Sequence, residues 1–145
     1  MITPAMFRRP ASFVAGLCLI LLLGSTAVAG DLVPLKGKFE GVGNNFSGNF
    51  THLGKFTGVF DPDTFTAVWT AANGDTVTNQ TISFDLIEEV EPGVFIYEQS
   101  LVITGGTGRF ANAVGSADVV GLIDFVTGAF DGDLDGEISR PNSRR

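Results

Sequence analysis

Cysteine is nearly missing from this 145-residue chain: Cys18 is the one example, and it stands inside an apolar N-terminal run. Beyond residue 29 there is none, which excludes a disulfide framework, a thiol nucleophile and a thiolate metal site there. Histidine is as scarce, with His52 alone. A metal site would therefore be built of oxygen, and acid–base chemistry would rest on one imidazole working with a carboxylate. No G-x-S-x-G nucleophile elbow occurs. Basic residues are also few, 9 Lys and Arg against 16 Asp and Glu, for a net charge of −7. Nucleic acid and anionic membrane surfaces both need clustered cations, so neither fits as a partner.

The chain opens on MITPAMFRRP, then ASFVAGLCLILLLG, then STAVAG. Arg8 and Arg9 precede an apolar run from about Phe13 to Leu23, and Ala27 and Ala29 give an A-x-A pattern. This order of basic, apolar and small residues is that of a secretory signal peptide cut after Ala29. The run is shorter than the roughly 20 residues a spanning helix needs. The expected product is a secreted or periplasmic protein that is not embedded in a membrane. Cleavage removes two arginines and no acid, so the remainder is two charges more negative. It divides into one domain, residues 30–139, and a basic, frayed tail at 140–145, RPNSRR.

No segment of that domain shows a helical apolar stripe; the period is two. In LKGKFEGV, Leu35, Gly37, Phe39 and Gly41 share one face, with Lys36, Lys38 and Glu40 on the other. From Phe46 to Phe60 the even positions are Phe, Gly, Phe, His, Gly, Phe, Gly and Phe. Phe65, Ala67, Trp69 and Ala71 fall together, and Asn73-Gly74 is a hairpin signal. Strands over about 76–86, 94–104, 116–125 and 129–139 follow, with turns at 43–45, 61–63, 88–93 and 126–128. Seven to eight strands in one short antiparallel meander must hide their edges, and closure into a barrel does so most completely. The alternation of glycine with large residues on the apolar face favours tight coiling. A β-sandwich is the alternative, because it uses the same alternation.

One stretch, LVITGGTGRFANAVG (101–115), imitates a dinucleotide loop, since Gly106, Gly108 and Ala111 satisfy G-x-G-x-x-G/A. Such a loop works by opening a long helix onto the pyrophosphate within a βαβ unit. Here Gly115 and a new period-two strand arrive within a few residues of Ala111, so no cofactor is expected. The structural reading is a strand-exit corner: Gly105, Gly106 and Gly108 allow the turn. Phe110 plugs a barrel end, and Arg109 faces water or a carboxylate.

On these residues, ITGGTGRFANAVGSADV (103–119) resembles the signature segment of dirigent proteins and the related allene oxide cyclase barrel. NFTHLGKFTG is similar to a segment of small secreted bacterial barrels of this type. The resemblance implies an eight-stranded barrel. Its plant members guide phenoxy-radical coupling or cyclise an allene oxide in an apolar cavity. No cavity residue of theirs is carried onto this chain, so the resemblance implies fold more than activity.

Candidate site residues are sparse. His52 falls on the apolar face of its strand, where a buried structural histidine is the plain expectation. Trp69, Tyr97 and Gln99 are read as inward-facing, either as polar handles of a ligand cavity or as the satisfied tips of a packed core. Asp118 is a candidate inward acid, so His52, Tyr97 and Asp118 are the possible catalytic groups. Asp131, Asp133 and Asp135 with Gly136 imitate an EF-hand, but position twelve is Asn142. Read as a strand, Asp131, Asp133, Asp135 and Glu137 form an outward row about 6.5–7 Å apart, a solvated face or a loose calcium site. Glu88, Glu89 and Glu91 are read as a loop. Two functions stay open: a non-enzymatic barrel binding a small apolar ligand or an extracellular partner, and a dirigent- or cyclase-like catalyst guiding a reactive intermediate.

Overall fold

The computed structural model describes residues 31–142. The expected leader, its cut after Ala29 and the last three residues of the tail lie outside them. Eight strands follow in order: β1 (Leu32–Val42), β2 (Asn45–Phe50), β3 (Gly54–Asp61), β4 (Thr66–Ala71), β5 (Thr76–Glu91), β6 (Val94–Gly106), β7 (Gly115–Asp124) and β8 (Ala129–Ser139). Each pairs antiparallel with the next, and β8 returns to pair with β1 along its whole length. The sheet closes on itself as a barrel, which removes the sandwich.

The inward face explains how so short a chain closes. Its aromatic residues sit opposite glycines on the flanking strands. Phe39 pairs with Gly48 on one side and Gly132 on the other, and Tyr97 pairs with Gly121. Space, rather than backbone freedom, requires these glycines. A Cβ at Gly132 would lie 2.6 Å from the Phe39 ring and 2.8 Å from Val119, and one at Gly48 would meet the Lys38 carbonyl. Each ring occupies the room its glycine neighbour leaves, which is how a narrow barrel fits large side chains. Phe39 touches Phe46, Phe50 and Phe130 at centroid distances of 5.5–6.2 Å, in tilted or edge-on geometry.

The meander sends alternate turns to opposite ends. At one end stand the turns after β1, β3, β5 and β7; at the other stand those after β2, β4 and β6. The run 46–60 is not one strand. It breaks at 51–53, where Phe50 pairs with Gly54 and the chain turns back. A three-residue turn preserves the alternation on both sides, which is why the pattern reads as continuous. His52 is therefore corrected: it sits exposed at the tip of this turn with φ 71°, and Leu53 enters the core instead. The loop reading of Glu88, Glu89 and Glu91 is also corrected. They belong to β5, whose turn into β6 needs only residues 92–93. Phe65 leaves the face of Ala67, Trp69 and Ala71. It stands at the end of the turn before β4, half exposed.

The 101–115 stretch is a corner between β6 and β7. Gly108–Phe110 form a single 3₁₀ turn, and Phe110 is 1% exposed. Thr107 ties the corner to β5: its N–H donates to the Thr76 carbonyl at 2.9 Å and its hydroxyl accepts from the Thr76 N–H at 3.0 Å. Gly108 has φ 62°, and a Cβ there would run into the Asp75 carboxylate. That carboxylate accepts from Arg109 Nε at 3.0 Å and from the Arg109 N–H at 3.2 Å. The Arg109 guanidinium also lies 4.9 Å above the Phe110 ring.

The Arg109 side chain, then its backbone N–H, hold the Asp75 carboxyl below its ordinary value. A carboxyl depressed in the folded state adds stability that is complete above the ordinary carboxylate range, near pH 4, and lost as pH falls through the folded value. The urea midpoint of the wild type is therefore expected to decline as pH falls below about 4. Asp75→Asn should flatten part of that decline. Midpoints for both proteins measured from pH 6 to pH 2.5 check this; an unchanged slope would remove Asp75 from the acid response.

Candidate functional site

The even-numbered end of the meander is closed by Phe110 and Leu53, but the opposite end is open. A cavity of about 450 Å³ runs into the barrel from it. Its walls are mainly aromatic, with Phe39, Phe46, Phe50, Trp69 and Phe130 inside and Phe60, Phe65 and Phe84 toward solvent. Trp69 packs edge-on to Phe50 at 5.0 Å. The interior is thus not filled to core density, as the packed-core reading expected. Among the described lining residues there is no Asp, Glu, Lys, Arg or His.

Hydrogen bonds between neighbouring turns fix the mouth. The Gly43 N–H donates to the Gly128 carbonyl at 3.0 Å, Phe60 to Asn44 at 2.8 Å, and Phe125 to Gly93 at 2.8 Å. Phe84 reaches the cavity through a shift in register. β5 carries an extra residue, Ile82, between the pairs Thr81–Leu101 and Ser83–Ser100. This bulge moves the inward phase from odd to even positions, so Phe84 lies opposite Gln99 and stacks on Tyr97 at 5.2 Å.

The polar groups of the wall are neutral. The Tyr97 hydroxyl donates to the Asp131 carbonyl at 2.9 Å. Burial, and then the Asp131 charge, push the Tyr97 phenol far above its ordinary value, so it keeps its proton and acts as a fixed donor. Gln99 Nε2 donates to Thr81 Oγ1 at 2.7 Å. Asn79, 2% exposed, is different: its Nδ2 has no hydrogen-bond partner. A buried donor left unmade costs about 1–3 kcal/mol. Sequence reasoning passed over Asn79 as a site residue, although Val77, two positions upstream and fully buried, marks the same face.

Of the sequence candidates, Trp69, Tyr97 and Gln99 come together around this cavity. His52 and Asp118 do not join them. Asp118 is corrected to the outer face: Ala117 and Val119 are the buried neighbours, and its Oδ1 accepts from the Ser100 hydroxyl at 2.7 Å. Gly105, Gly106, Gly108 and Phe110 lie at the closed end. Asp131, Asp133, Asp135 and Glu137 are exposed along β8. Lys38 Nζ pairs with Asp133 at 2.7 Å and Lys36 with Asp135 at 4.0 Å, while Asp131 Oδ1 accepts from the Leu122 N–H. Among the described residues, no three acidic, histidine or cysteine side chains gather as a metal cradle.

No family model and no curated protein matches the chain. Among solved structures it is similar to a pterocarpan synthase dirigent protein, at 16% identity and a TM-score of 0.46, over 79% of this chain and 88% of that one. The barrel assignment itself rests on the strand pairing of this chain.

Proposed function

We propose that this protein is a secreted, non-enzymatic barrel that holds a small apolar ligand in its open end. One observation carries the reading: a cavity of about 450 Å³ with aromatic walls, a few neutral polar groups and a preformed mouth. Its size falls within the range of small-molecule pockets. The catalytic alternative loses His52 and Asp118 to the outer surface and finds Tyr97 with its proton locked. Charged residues along the outer face, among them Lys36, Lys38, Asp133 and Asp135, support a barrel that stands in water, because a membrane barrel turns an apolar band outward. The leader read at residues 1–29 accounts for export.

Trp69, the single tryptophan of the chain, reports on the site. Titration with a neutral apolar fluorophore such as N-phenyl-1-naphthylamine is expected to change Trp69 emission saturably at micromolar concentration. A linear, unsaturated response up to the solubility limit would refute the reading.

Phe65 sharpens the test. It is an aromatic residue with φ 61°, half exposed, at the mouth. A bulky residue in that region is strained, and strain of this kind persists where the surroundings or a function hold it. The Thr81 N–H donating to the Phe65 carbonyl at 2.9 Å and Phe60 at 6.0 Å hold it here. Phe65→Gly is expected to raise stability by up to about 1 kcal/mol, the roughly 1–2 kcal/mol left-handed penalty less the roughly 0.5–1 kcal/mol entropic cost of glycine, while weakening fluorophore binding roughly 2- to 10-fold. Urea unfolding and the same titration measure both.

A further inference from the structure

We propose that Asn79 is the recognition residue of this cavity, and that the ligand class it selects is a neutral, largely aromatic molecule bearing one carbonyl-type acceptor. The inference rests on reading the cavity as a ligand site and adds which chemistry that site takes. Asn79 lies on the inward phase of β5 with Val77 and Thr81, and it lines the cavity while its amide nitrogen has no hydrogen-bond partner. A buried donor without a partner is rare in a folded protein and asks for an explanation. The neighbouring polar side chains do not supply one: the Tyr97 hydroxyl donates to the Asp131 carbonyl and Gln99 Nε2 to Thr81 Oγ1, and none of their oxygens bonds the Asn79 amide nitrogen.

Asn79 pairs across the ladder with Ala67 on β4 and Ile103 on β6, whose apolar side chains offer the amide no acceptor. A –NH₂ group offers only donation, so its complement is an acceptor. A hydroxyl would bring a further donor that the wall would also have to satisfy. A carbonyl brings none. Charged ligands are excluded by the same wall, which has no ionisable partner to offset the loss of water around a carboxylate or an ammonium.

Fluorene and 9-fluorenone test this in the full chain, because they share a ring system and differ by one carbonyl. Affinities are read from Trp69 emission. Wild type is expected to bind fluorenone about tenfold more tightly than fluorene. Asn79→Leu, close in size and without the donor, should abolish or invert that ratio while still binding fluorene. A second measurement needs no variant: the carbonyl stretch of bound fluorenone should move to lower frequency than in a hydrocarbon solvent. An equal affinity of wild type for both compounds, or a stretch that does not move, would overturn the role of Asn79 and leave the ligand cavity standing. Failure of wild type to bind either compound would overturn the cavity reading, and this inference with it.

Discussion

Phe110→Ala is expected to lower the unfolding free energy by about 3–5 kcal/mol, the range for emptying a buried aromatic position. Against the 5–15 kcal/mol that holds a domain of this size together, that is a large fraction. The ring is 1% exposed at the closed end of the barrel, and the Arg109 guanidinium lies over it. Collapse around the deletion is obstructed. Gly106 is packed so closely against the Thr76 carbonyl and Phe110 that no Cβ fits there, and the Asp75–Arg109 pair pins the turn from outside. The surroundings therefore have little freedom to fill the hole. Urea unfolding followed by Trp69 emission measures the loss. Phe125→Ala is the control, since that ring is 57% exposed and its removal should stay within about 0.5 kcal/mol. A cost for Phe110→Ala below about 1 kcal/mol would mean that the corner, not its phenylalanine, closes this end.

The corner also shows why fold was more legible than site. TGGTG followed by Gly115 specifies a turn through local geometry alone, and the glycine–aromatic alternation of β1 to β3 states the inward face of each strand directly. Where that alternation weakens, assignment fails. In SADVVGLIDF, Val119 and Val120 are adjacent, so either phase places apolar residues inward, and Asp118 was free to be read on the wrong face. Gly121 breaks the tie only once its partner Tyr97 is known, which is a fact of pairing across strands. The bulge at Ile82 has no local mark at all, so the arrival of Phe84 at the cavity was hidden. His52 failed for a different reason: a turn of three residues leaves the period-two pattern intact on both sides. The cavity could not be seen in the sequence either. Whether inward aromatic rings meet in the middle or leave a space depends on how the eight strands close.

That same alternation supports the sharpest test of the cavity. Val119→Trp is expected to abolish fluorophore binding, with affinity reduced at least about 100-fold, while Val120→Trp leaves it unchanged. The two positions are consecutive on β7 and point to opposite faces. Val119 is 2% exposed and lines the cavity beside Phe39 and Gly132; Val120 is 49% exposed on the outer wall. An indole added at 119 has empty space to enter. It should therefore escape much of the 1–3 kcal/mol that overpacking a filled core costs, and the apolar area it buries offsets part of the remainder. Unfolding curves of both variants should stay cooperative, and binding alone should separate them. Equal loss in both would place the fluorophore on the outer surface. Equal retention would show that the cavity does not hold it.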